Sequence, residues 1–133
     1  MRIVLTSNFS PWSEYSGGGQ RSTHQLASAL VEAGHDVHVV YTAAPGKKPK
    51  PDVPTNYTLH WALFFGRKAR RSAPLRPLNA LSVRHVVGQI HQKSPVDVIH
   101  SQGEEGMLVG PWANEQGVGF VVTPRYPAYP DAL

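Results

Sequence analysis

A chain of 133 residues fits one domain, and at 41% hydrophobic and 17% charged residues it is too apolar to stay disordered. Twelve Gly and 12 Pro argue against an all-helical bundle, and the absence of Cys excludes disulfides, thiolate metal sites and a Cys nucleophile. The net charge of +4 is uneven: Lys47 to Arg84 holds nine bases against one acid (+8), and the rest holds four bases against eight acids (−4), so an anionic partner is expected for the basic segment alone.

The opening apolar run is too short for a signal peptide, and no stretch approaches the ~20 apolar residues of a spanning helix, so a cytoplasmic protein is expected. Arg2 to Ser7 reads as a buried strand. Asn8 to Gln20 reads as a loop containing Gly17, Gly18 and Gly19. A helix is expected from about Arg21, with Leu26, Ala27, Leu30 and Val31 at helical spacing and Gly34 as its stop. Asp36 to Thr42 is a second strand. Residues 43–55 hold four prolines and three lysines and read as a loop that opens a basic insert over about 43–76. Asn56 to Phe65 is a third strand, Leu78 to Gln92 a helix, and Asp97 to Ser101 a fourth strand. Gly103 to Gln116 reads as a helix that Gly110-Pro111 could break, and Val118 to Thr123 as a fifth strand. Pro124 to Leu133 has no period.

Strands alternating with helices imply a Rossmann-like α/β domain, with a parallel sheet and helices on both faces. Ligands in such folds bind beyond the carboxyl ends of the strands. The glycines at 17, 18 and 19 precede a helix, where free N–H groups and the positive dipole end receive a phosphate; the alternative is a turn. The dinucleotide fingerprint fails, because Ser22 stands where its third Gly belongs and the first Gly lies about ten residues past the strand. The Walker, zinc-protease, nucleophile-elbow and calcium-loop patterns are absent.

Gly17-Gly18-Gly19-Gln20-Arg21, Leu26-Ala27-Ser28-Ala29-Leu30, Gly34-His35-Asp36-Val37, Asp97-Val98-Ile99-His100 and Val121-Val122-Thr123 follow one another in an order that resembles the amino-terminal domain of family 4 glycosyltransferases of the GT-B fold. The resemblance implies transfer of a sugar from a nucleotide-sugar to an acceptor in a cleft between two similar domains. This chain would supply the acceptor side, and its glycine loop would lie near the donor diphosphate. Residues 1–133 would then form one domain, incomplete at its carboxyl end, with the nucleotide-binding domain missing and the chain alone inactive. The nucleotide-sugar is a co-substrate; no cofactor or metal is expected.

Two positions depart from the family pattern. Gln102 replaces a second His, and Arg125 replaces another, so catalytic residues are not assigned. Arg21, His24, His100, Gln102, Glu104 and Arg125 are the candidates for the acceptor side of the cleft. One of Glu104 and Glu105 could orient a sugar hydroxyl or act as a base; the alternative, that they answer the dipole of a helix start, is favoured. His35 and His38 lie at the amino end of the second strand and read as structural. Pro124, Pro127 and Pro130, with Tyr126 and Tyr129 between them, suit a recognition motif or a loop. Arg67, Lys68, Arg70 and Arg71, beside Trp61, Phe64 and Phe65, suit an anionic membrane surface or a lipid-linked or anionic acceptor, and after that nucleic acid; the equally weighted alternative is a solvated charged loop beside a strand whose aromatics are core. The competing reading is a free-standing binding module that uses this insert.

Overall fold

The computed structural model describes residues 1–13, 16–51, 54–65 and 75–123. Five strands form one parallel sheet in the order β3-β2-β1-β4-β5: β1 (Arg2–Ser7), β2 (Asp36–Ala43), β3 (Thr58–Leu63), β4 (Val98–Ser101) and β5 (Gly119–Val122). Helix α1 (Gly18–Glu32) joins β1 to β2, α2 (Arg76–Lys93) joins β3 to β4, and α3 (Val109–Gln116) joins β4 to β5.

Side-chain alternation along the strands divides the core between the two faces. Ile3, Leu5, Val37, Val39 and Tyr41 pack with Ala27 and Leu26 of α1. Val4, Val40, Ala62 and Ile99 pack with Val83, Val87 and Ile90 of α2 and with Val109 and Ala113 of α3. Since β1 and β2 are covered on both faces, they read as continuous apolar runs. At the opposite extreme β5 is a sheet edge, with Val121 and Val122 exposed.

Three expectations are corrected. Helix α1 begins at Gly18 rather than near Arg21, because Gln20 Oε1 accepts from Gly17 N at 2.9 Å and closes the first turn. Two of the three glycines are therefore helical. The expected helix from Gly103 is a 3-10 turn (Glu104–Gly106) followed by α3, and the break precedes Gly110-Pro111. Pro111 sits in the first turn of α3, where its missing N–H has no acceptor to lose. The third strand is shorter than expected, Thr58–Leu63. Phe65 is drawn instead onto Asn79 of α2, whose Oδ1 accepts from Phe65 N (2.7 Å) and whose Nδ2 donates to Phe65 O (3.2 Å).

At the amino edge, Arg2 pairs with Asp36 (2.6 Å), and Asp97 Oδ2 accepts from Arg2 N (2.7 Å). His38 Nδ1 meets His60 Nε2 at 2.9 Å, and His38 Nε2 lies 3.2 Å from Asp36 Oδ1. Burial lowers the pKa of both imidazoles, assisted at His60 by the charge of its neighbour His38, and His60 falls to about 4. His35 takes the terminal amine at 3.1 Å. His35 and His38 thus lie in the structural frame, at the edge away from the strands' carboxyl ends.

Candidate functional site

The strand order reverses between β1 and β4, so their carboxyl ends open a crevice at the switch point. From β1, the chain turns sharply at Phe9, which adopts φ +64. This left-handed conformation is costly for a bulky residue. It is held by Thr42 Oγ1, which accepts from Phe9 N at 3.0 Å, and by Phe64, whose ring centroid lies 4.6 Å from that of Phe9. The turn carries the chain back to the start of α1. There Gln20 Nε2 donates to Asn8 O at 2.8 Å and ties the helix to the end of β1. Gly17 caps α1 and Gly18 is exposed in its first turn; a Cβ on Gly18 would meet nothing within 4 Å. Gly17 N–H is taken by Gln20 Oε1, and the first turn keeps the backbone N–H of Gly18, in open space, and the positive dipole end at this edge.

On the β4 side the chemistry is different. Glu105 is 4% exposed, and its Oε1 accepts from Gln102 N (2.6 Å), Gly103 N (3.2 Å) and Thr6 Oγ1 (3.1 Å). Thr6 Oγ1 in turn meets Ser101 Oγ at 2.7 Å. One carboxylate oxygen therefore ties the ends of β1 and β4 to the turn that follows. Burial pushes its pKa up, and the donated hydrogen bonds draw it partly back. Asn8, Phe64, Asn79, Ala80, Glu104 and Glu105 bound a small cavity of about 10 Å³, room for about one water.

The expected cleft residues are spread over this edge. Arg21 is exposed in the first turns of α1 and Glu104 is exposed beyond β4. Gln102 is buried directly after β4. His100 Nε2 is bonded to Thr123 Oγ1 at 2.6 Å. His24 stands in the second turn of α1, because the helix starts early, and packs among aromatics: its Nδ1 meets Tyr57 Oη at 2.8 Å and its ring lies edge-on to Trp12. Tyr57 Oη meets Tyr41 Oη at 3.0 Å, and burial raises both phenols. Arg125, the basic residues Arg67, Lys68, Arg70 and Arg71, and the proline-rich tail lie outside the described residues.

The aromatic half of the expected membrane surface is occupied elsewhere. Phe64 is 3% exposed, and Trp61 packs on Tyr41 at 6.1 Å between centroids. These rings serve the sheet, where a β3 strand with few other large apolar residues needs them.

No motif in the sequence singles out Thr6, Asn8 or Ser101, Gln20 stands out only as part of the glycine motif, and Glu105 reads more readily as an answer to a helix dipole than as a buried acceptor. A Thr at a buried register position near the end of an apolar strand was the available signal.

The Glycosyl transferase 4-like domain profile matches residues 17–133. No curated protein matches the chain. Among solved structures, UGT2 of Phytolacca americana, without ligand, is similar at 14% identity and a TM-score of 0.64, covering 92% of this chain and 29% of that one. A UGT transferase from Siraitia grosvenorii, solved with UDP, is similar at 17% identity and 0.57, covering 91% and 27%. The C-terminal domain of a Pyrococcus furiosus hydrogenase is similar at 16% identity and 0.56, covering 90% and 88%. These likenesses show a shared fold, and the hydrogenase domain shows that the fold serves other functions. This chain spans under a third of the two plant proteins. The family follows from the profile over residues 17–133: the chain belongs to the Glycosyl transferase 4-like domain family.

Proposed function

We propose that this domain is the acceptor-side half of a glycosyltransferase that moves a sugar from a nucleotide-sugar to an acceptor. The observation that carries the reading is the glycine start of α1, Gly17, Gly18 and Gly19, with open space at Gly18, at the switch-point edge of the sheet. Its backbone N–H groups would face the donor diphosphate, and a second domain would hold the nucleotide. UDP in the Siraitia structure supports a nucleotide-sugar as donor.

Negative charge grows on the diphosphate as the sugar leaves. Fixed N–H dipoles at α1 oppose that charge without reorganising, so catalysis here is charge stabilisation and positioning. Arg21 adds a cation on the same helix, and Arg125 is a second candidate. On the β4 side, the Glu105 lock sets the turn that carries Gln102 and the exposed Glu104, both able to hydrogen-bond acceptor hydroxyls. The basic segment around Arg67 to Arg71 favours a lipid-linked or anionic acceptor, with binding at the inner membrane face. No helix among the described residues is long and apolar enough to cross a membrane.

The test is acceptor-dependent release of nucleotide from labelled nucleotide-sugars by the complete gene product, with the 133-residue chain beside it. The complete protein turns over and the isolated chain does not. Robust transfer by the chain alone, or none by a complete two-domain protein across donors and acceptors, would overturn the reading.

A further inference from the structure

Helix α2 carries apolar residues on two faces. Ala80, Val83, Val87 and Ile90 meet the sheet, yet Leu78 (45% exposed) and Leu81 (41%) point outward, beside Leu63 (41%) at the end of β3. A surface helix ordinarily confines its apolar residues to one stripe. Here the outward leucines line a groove of about 880 Å³, which runs over α2 from Leu63 and Phe65 to Trp112 of α3. That volume lies in the range of small-molecule sites, roughly 300–1,000 Å³.

The groove's charge is one-sided. Arg84, His85 and His91 line it and, among the described residues, no carboxylate does; α2 itself contains no Asp or Glu. Arg84 makes no ion pair among the described residues. A partly buried guanidinium beside leucines, with no acid among the described residues to answer it, matches a ligand that brings both an aliphatic chain and an anionic group.

We propose that this groove is a binding site for a single-chain anionic amphiphile, separate from the switch-point crevice. The chain covers Leu63, Phe65, Leu78 and Leu81, and the anionic head pairs with Arg84, with the His85 ring as a further polar contact. Leu63 is held at the rim because Ser82 Oγ accepts from Leu63 N at 2.8 Å, so β3 and α2 form one continuous wall.

Calorimetric titration of the 133-residue chain with monomeric oleate tests this without reading sugar transfer, so its failure leaves the glycosyltransferase reading intact. The expected result is saturable one-to-one binding that oleyl alcohol matches only weakly. Leu81→Asp weakens oleate about tenfold, since it removes apolar contact and places a carboxylate against the chain. Arg84→Gln weakens it at least about threefold, the size of a partly screened ion pair, and abolishes the preference for oleate over the alcohol. Should Leu81→Asp fail to fold by circular dichroism, the Arg84→Gln comparison decides alone. The proposal is overturned by no saturable binding, by oleate affinity unchanged in Arg84→Gln, or by binding to phosphatidylglycerol vesicles without binding to monomeric oleate, which would mark a membrane-facing surface instead.

Discussion

Replacing Gly106 by Ala tests the lock at the switch point. A methyl there would stand 2.5 Å from Ser101 Cβ and 3.5 Å from Phe120 Cζ. Ordinary carbon contacts lie at ~3.5–4.0 Å, so the 3-10 turn must retreat by about 1 Å. Glu105 lies in that turn, and its bonds to Gln102 N, Gly103 N and Thr6 Oγ1 are already 2.6, 3.2 and 3.1 Å long. A retreat of that size breaks at least the longer two. Overpacking costs about 1–3 kcal/mol, and lost bonds to a charged acceptor about 1.5–3 kcal/mol. The reduced entropy of the unfolded Ala chain returns about 0.4–1 kcal/mol. The net expectation is a loss of about 2–4 kcal/mol, read from urea midpoints at constant m-value. Gly88→Ala is the control. Gly88 lies inside α2, and its Cβ would only touch Trp112 at 4.0 Å, so helix propensity should leave that variant about 0.5–1 kcal/mol more stable. If Gly106→Ala falls within about 0.5 kcal/mol of the parent, the close approach of the turn to Ser101 is not a constraint and the lock as described is wrong.

Other outcomes follow from the same geometry. Gly18→Val in the complete enzyme should cut transfer by at least about tenfold while the melting temperature stays nearly unchanged, because its Cβ enters open space at the phosphate approach; full turnover would reduce the loop to a turn. Glu105→Ala should speed amide exchange at Gln102 and Gly103, whereas Glu105→Gln, which keeps an acceptor oxygen, should largely preserve protection; equal protection in both would refute the carboxylate's role. Acid should destabilise the fold through the imidazole pair. The folded pKa values of His38 and His60 are lowered, so the unfolded chain binds more protons and stability falls as pH drops from the unfolded value of 6.5 toward about 4. Glu105, with its raised pKa, works in the opposite direction, and His60→Gln should flatten the acid loss measured by melting at successive pH values; an unchanged slope would remove the pair as its source.

The fold was legible because burial left a clear mark. Continuous apolar runs at Arg2–Ser7 and Asp36–Ala43 identified doubly covered strands, and Leu26, Ala27 and Leu30 set the period of α1. Boundaries failed where local hydrogen bonds decide. Gln20 draws Gly18 and Gly19 into α1, and Pro111 opens α3 rather than breaking it. At the carboxyl edge of the sheet, position in the chain does not assign side-chain partners. Adjacent acids at 104 and 105 look equivalent in sequence, yet one is exposed and the other buried, because the turn after β4 places only Glu105 over Thr6. The sequence does not announce the partners of His24, whose Nδ1 meets Tyr57 Oη and whose ring lies edge-on to Trp12, because both come from distant parts of the chain. The aromatics at 61 and 64 follow the alternative in which the strand's rings are core, because Phe64 is buried and Trp61 packs on Tyr41.

In the proposed enzyme the start of α1 receives the donor's phosphates. A crystal structure of the complete protein with a nucleotide-sugar tests it most directly. Diphosphate oxygens are expected within hydrogen-bond distance, ~3 Å, of the backbone N–H groups of Gly18 to Gln20, since Gly17 N–H is taken by Gln20 Oε1. A diphosphate bound away from that turn, with the crevice between β1 and β4 empty, would contradict it.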